Sequence, residues 1–173
     1  MQTITLNELT QDLMAWMTYD GNAIDFARRL RGGDAWDQWS IVQFLHWQLT
    51  TGGRTDLDYE CEVPRPRRRG RRYDVVYNRG SGTADPQRPP VYTLWICDNE
   101  GNDAVRRLRR EIDAFATDLR ATQQGSPVPV VPLLVVLSPE EVDFPGVGSK
   151  SVPNCATRLH LSSDVTWKSY PIS

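Results

Sequence analysis

The chain has 173 residues, with 20 Lys and Arg against 22 Asp and Glu, a formal charge of −2 and a pI near 5.7. This balance excludes a protein whose whole surface grips nucleic acid and leaves room only for local contacts of that kind. The length suits one domain, 1–173, with a substantial core and is short for two: a helical N-terminal part over 1–50, an α/β core over 55–162 and a tail over 163–173.

At the N-terminus no basic start leads into an apolar run. The most apolar segment, 128–137, contains two prolines and is far shorter than the roughly 20 residues that cross a bilayer. A cytoplasmic protein without membrane contact is the expectation. Cys61, Cys97 and Cys155 form no C-x-x-C pair and leave one over in any disulfide scheme, so reduced, mostly buried thiols are expected.

Thr5 with Glu8 fits a capping box, and Leu6, Leu9, Leu13, Met14 and Met17 give one apolar face at helical spacing. The first helix is predicted to end near Thr18, where Asp20, Gly21 and Asn22 break the pattern. A short second helix covers 23–31, stopped by Gly32 and Gly33. Asp34 caps a third helix to Leu49, rich in aromatic residues. Trp36, Trp39 and Trp47 occupy more than one of its faces, which reads as burial on two sides or as a partially exposed docking surface.

From Asp56 the pattern alternates: Leu57, Tyr59, Cys61 and Val63 on one face, Asp58, Glu60 and Glu62 on the other. The run PRPRRRGRR, 64–72, cannot extend this strand, because proline donates no ladder hydrogen bond and the arginines repel one another. A hairpin-like connection into a second strand, 73–77, follows. The segment 78–90 reads as a loop, and 91–97, almost entirely apolar or β-branched, as a central strand covered on both faces.

Asn102 or Asp103 caps a long helix to about Ala121. Val105, Leu108, Ile112, Phe115, Ala116 and Leu119 line one face of it, with Arg106, Arg107, Arg109 and Arg110 elsewhere. A buried strand over 130–137 completes a β-α-β unit. The stretch 139–151 reads as a loop with a helical turn at 140–142, and 158–161 as a last short strand.

The order helix, strand, strand, strand, helix, strand, with Asp74 in YDVVY and the apolar strand VYTLWICDN after it, resembles the PD-(D/E)XK nuclease-like fold family over 39–137. The resemblance implies a mixed central sheet flanked by helices, restriction-endonuclease-like. In that family an early acid and an E-x-K tripeptide hold a divalent cation such as Mg or Mn, and the lysine supports the attacking water. In this register Trp95 stands at the glutamate position and Cys97 at the lysine position, so the E-x-K is missing, and Lys150 and Lys168 lie far along the chain.

A degenerate active site is therefore expected, on a non-catalytic scaffold that binds another protein and requires no cofactor. An immunity or antitoxin-type partner, or a bacterial defence complex, is the concrete form of that role. The alternative is a metal-dependent nuclease with Asp74, Asp98 and Glu100 as its carboxylates, Asp74 and Asp98 holding the metal, assisted by Glu60 or Glu62. Asp74 as a strand-end partner of an arginine, and Asp98 and Glu100 as turn and capping residues, are the structural readings of the same positions.

The arginine-rich loop Arg65, Arg67, Arg68, Arg69, Arg71 and Arg72 can hold phosphate, which gives a nucleic-acid-binding alternative, or the acidic surface of a protein partner. It can equally be a solvated loop balanced by nearby acids. A thiol–imidazole pair of Cys97 with His46 or His160 is disfavoured, since burial in an apolar strand raises a thiol pKa. The two histidines and scattered cysteines give no zinc spacing.

Overall fold

The computed structural model describes residues 1–30, 34–66, 70–80, 85, 87–98, 103–144, 146–153 and 155–163. Three helices and six strands follow in the order α1 (Leu6–Leu30), α2 (Asp34–Leu49), β1 (Tyr59–Pro64), β2 (Arg72–Tyr77), β3 (Val91–Cys97), α3 (Asp103–Gln124), β4 (Val131–Ser138), β5 (Gly148–Lys150) and β6 (Arg158–Ser162). They form a mixed sheet of order β1-β2-β3-β4-β6-β5, in which β3 and β4 are the parallel pair and the other neighbours are antiparallel.

Strand alternation sorts the central residues into two cores. Val91, Trp95 and Cys97 of β3 and Leu133, Val135 and Leu137 of β4 face α1 and α2, where Trp16, Phe44 and Trp47 meet them. Leu94 and Ile96 of β3 and Leu134 and Val136 of β4 face α3 through Leu108, Ile112 and Phe115. Burial on both faces explains why these strands read as unbroken apolar runs.

α1 starts as its capping box requires: the Thr5 N–H and hydroxyl donate to Glu8 Oε2, and the Glu8 N–H donates to Thr5 Oγ1. It does not break at Asp20, Gly21 and Asn22. It runs on to Leu30, because Met17, Ile24 and Ala27 are buried along one stripe of a continuous helix. Burying an isoleucine gains about 1.5–3 kcal/mol against about 1 kcal/mol lost to a helical glycine.

Other expectations also shift. No helical turn forms at 140–142, and β5 was not anticipated. Cys97 is buried and Cys155 partly so, but the thiol of Cys61 is exposed on the edge strand; all three are free.

The β1–β2 hairpin turns over along its length. Tyr59, Val75 and Tyr77 belong to the α1/α2 core, whereas Val63 and Tyr73 belong to the α3 core. The change of face falls at Glu62, which adopts a left-handed φ of 53°, and at Asp74 in the middle of β2. A strand that twists there cannot stay paired along its length with its other neighbour, the antiparallel β3. This positions the site described next.

Candidate functional site at the opening between β2 and β3

β2 and β3 pair only through Tyr77↔Val91 and Val76↔Tyr92. At the next position the Thr93 side chain replaces the ladder, its Oγ1 accepting from the Val75 N–H at 3.0 Å and donating to the Val75 carbonyl at 2.9 Å. Beyond Thr93 the strands separate and leave the β3 backbone edge without a strand partner. Buried backbone groups must be paired elsewhere.

Side chains from three elements supply the partners. Asp74 Oδ2 of β2 accepts the Trp95 N–H at 2.7 Å, and Asp37 Oδ1 of α2 accepts the Cys97 N–H at 2.7 Å. Arg107 of α3 donates to the Cys97 carbonyl at 2.8 Å and to both oxygens of Asp37. The opening is a cleft of about 520 Å³ lined by Asp37, Arg71, Trp95, Arg107, Arg110 and Glu111 among others. On its rim Glu111 pairs with both Arg71 and Arg110.

Burial dominates the electrostatics. It pushes Asp74 up to about 6, against the relief given by the Trp95 N–H and the Arg65 and Arg107 charges, and the negative charge of Asp37 adds to the rise. Asp37 is likewise raised by burial, with the Arg107 guanidinium opposing. The Cys97 thiol is raised far above its ordinary value by burial and by the Asp37 charge, which leaves it unreactive as expected. His46 is exposed on α2, and His160 accepts the Val142 N–H through Nε2 on the α3 side of the sheet.

Of the predicted acids, only Asp74 lies at this opening among the described residues. Asp98 is buried at the β3–α3 turn, where its Oδ2 caps α3 by accepting the Ala104 N–H at 2.9 Å. Asn102 and the side chain of Asp103, from which this capping was expected, lie outside the described residues. Glu100 lies outside the described residues. Glu60 and Glu62 pair with Arg79 and Arg72 on the exposed edge strand.

The arginine loop divides. Arg65 is buried, contrary to a contact role: its guanidinium lies 5.4 and 5.6 Å from the Tyr73 and Phe115 ring centroids, and its Nε donates to the Arg72 carbonyl. Arg71 and Arg72 remain partly or fully exposed, and Arg67, Arg68 and Arg69 lie outside the described residues. The docking reading of α2 is corrected for its tryptophans, since Trp36 and Trp47 are core residues and Trp39 packs half-buried against them.

Asp37 and Arg107 were not singled out as site residues. The available signals were an acid among the aromatic residues of α2 and a cluster of four arginines in the first half of α3.

The arrangement bears on the cation that the family resemblance implies. A divalent ion needs several free oxygens, but Asp74 Oδ2 and Asp37 Oδ1 accept backbone N–H groups, and Arg107 takes both oxygens of Asp37 and brings a fixed positive charge into contact with it. Among the described residues no three His, Cys, Asp or Glu side chains converge on one point. The donor set fits a guanidinium and does not fit a metal. Among the described residues, no helix is long and apolar enough to cross a membrane. Comparison of the chain with protein families, with curated proteins and with solved structures finds no match.

Proposed function

We propose that this chain is a non-catalytic binding protein on a nuclease-like scaffold, whose partner is another protein of the immunity, antitoxin or defence-complex kind. The observation that carries this reading is the use made of the two carboxylates at the strand opening. Both are engaged in holding the β3 edge, and Arg107 supplies the charge that a metal would otherwise bring. Removing one partner of such a half-buried pair leaves an uncompensated charge. The side chains are therefore suited to building the sheet, not to exchanging ligands.

A second reading, a metal-dependent nuclease with an altered carboxylate set, is favoured by one observation: Asp37 and Asp74 are close enough for each other's charge to matter. The test is a cleavage assay on plasmid, single-stranded DNA and RNA with magnesium or manganese, comparing the wild type with Asp74→Asn. The binding reading expects no cleavage above the variant. Cleavage that vanishes in Asp74→Asn overturns it.

A further inference from the structure

α1 and α2 form one layer on a single face of the sheet, and the surface they turn outward differs in kind from that of α3. Over residues 11–26 the exposed positions of α1 hold a glutamine, a threonine, an asparagine, two alanines, Tyr19 and Phe26. None is charged, in a chain that is 24% charged. The acids of this stretch, Asp12, Asp20 and Asp25, are buried or half-buried. On α2 the exposed residues described, Gln38, Val42 and His46, include no Asp, Glu, Lys or Arg either. Across the sheet, the exposed positions of α3 over 104–121 are Arg106, Arg109, Arg110, Asp113 and Arg120, all charged.

The uncharged layer also carries the exposed apolar bulk. Apart from Met1, the large hydrophobic side chains left exposed among the described residues are Tyr19, Phe26 and Val42, at 67, 64 and 61%. Tyr19 and Phe26 are seven residues apart, close to two full turns, so they point the same way on α1, with Asn22 and Ala23 between them, one to each side. Scattered surface hydrophobics need no explanation. Aromatic residues grouped on a face depleted of charge have the composition of an interface core.

We propose that the outer face of α1 and α2 is the contact between two copies of this chain, paired about a two-fold axis that passes between Asn22 and Ala23. Such an axis runs α1 antiparallel to its copy and sets Tyr19 of each on Phe26 of the other. The short side chains at the axis let the two helices close to about 8–10 Å. Two observations select a second copy as the occupant. A two-fold axis places any charge near it beside the same charge of the other copy, so a contact of this kind needs the neutrality that is present, whereas a partner of opposite charge finds nothing to match. The spacing is also self-matching, since Tyr19 and Phe26 stand equally far along the helix from the axis.

The size of the patch sets the strength. It is about 22 Å long at 1.5 Å per residue and about 20 Å wide across two helices. That is roughly 450 Å² per copy, against about 800 Å² for a standard interface. A reversible dimer dissociating at about 10–100 μM follows. This inference goes beyond the reading of the strand opening and holds whether or not the chain is catalytic.

The test is sedimentation velocity of the full chain from about 5 to 500 μM, a range that spans this constant, at about 50 and 500 mM NaCl. Reductant keeps the exposed Cys61 from crosslinking. The mass should climb from 19.7 kDa toward twice that value, and equally at both salt concentrations because the contact buries no charge. Tyr19→Lys/Phe26→Lys should weaken association about tenfold or more. The control Asp113→Asn/Gln124→Lys makes the same change in net charge at exposed positions of α3 and should leave association within about twofold of the wild type. Ala23→Arg, which puts bulk and charge at the axis, should weaken it as the double variant does and serves if circular dichroism shows that variant to be misfolded. A monomer at every concentration, a dimer lost at high salt, or an equal effect of the face variants and the control would each overturn the proposal.

Discussion

Asp74 holds its proton to about pH 6 because burial disfavours its charge more strongly than the Trp95 N–H and nearby arginines favour it. The unfolded chain releases the same proton near the ordinary carboxyl value of 3.8. Between those values the native state binds more protons than the unfolded one, so this residue's contribution falls as pH rises through the window, and the deficit is complete above it. Asp74→Asn keeps an oxygen to accept the Trp95 N–H and removes the charge. Its stability should match the wild type near pH 4 and exceed it at pH 8, by at most about 3 kcal/mol and by roughly 1 kcal/mol once the partial exposure of the side chain is allowed for. Urea midpoints at the two pH values test this, and coincident midpoints at pH 8 would show that the ionised carboxylate is not held at a cost.

At the scale of elements, α1 does two jobs that a helix ending near Thr18 could not. Its second half buries Ile24 and Ala27, and it presents Asp25 to the segment before β6. The Asp25 carboxylate accepts the Ala156 N–H at 2.7 Å, the Thr157 N–H at 2.9 Å and the Thr157 hydroxyl at 2.7 Å. Burial pushes its pKa up, but these bonds outweigh burial and the net shift is downward. The stabilisation is thus present above the ordinary carboxylate range and is lost as pH falls through the depressed value. Asp25→Ala should cost about 1–3 kcal/mol and raise hydrogen exchange at the Ala156 and Thr157 amides far more than at the amides of β3. Exchange that rises uniformly would instead mean that the tie is part of the global core.

Elements also differ in how legible they are. α3 follows from the helical spacing of its apolar face, β1 from alternation, and β3 and β4 from short apolar runs buried on both faces. β5 consists of Gly148, Ser149 and Lys150, all exposed, and exists only because β6 offers an edge to pair with. The expected break in α1 failed for a related reason: turn residues register local preference, and packing against the sheet overrode it.

For the whole molecule, Phe44 is the point where the layers meet. Its ring lies 5.4 Å from Trp16 of α1, 6.5 Å from Trp47 of α2 and 5.7 Å from Trp95 of β3. Phe44→Ala would open a cavity among three tryptophans and should cost about 3–5 kcal/mol. It should also shift tryptophan emission to the red as water gains access. A loss under about 1 kcal/mol would mean that the cluster collapses to fill the space.

Taken alone, the sequence was enough to determine a helical N-terminal part, a parallel β3–β4 pair with α3 crossing between them, and Asp74 as an acid early in β2 beside an apolar β3. All of these are written in local spacing. What only the tertiary structure decided is the use to which those residues are put. Asp37 reaches Cys97 across 60 residues of chain, Arg107 closes on the same strand, and Arg65 leaves the exposed loop for the core. The physical reason is that the β1–β2 hairpin changes face at Glu62 and Asp74 and opens the sheet. Which side chains cap the exposed β3 edge then depends on what the opening brings within hydrogen-bonding distance, a long-range outcome that no local period encodes.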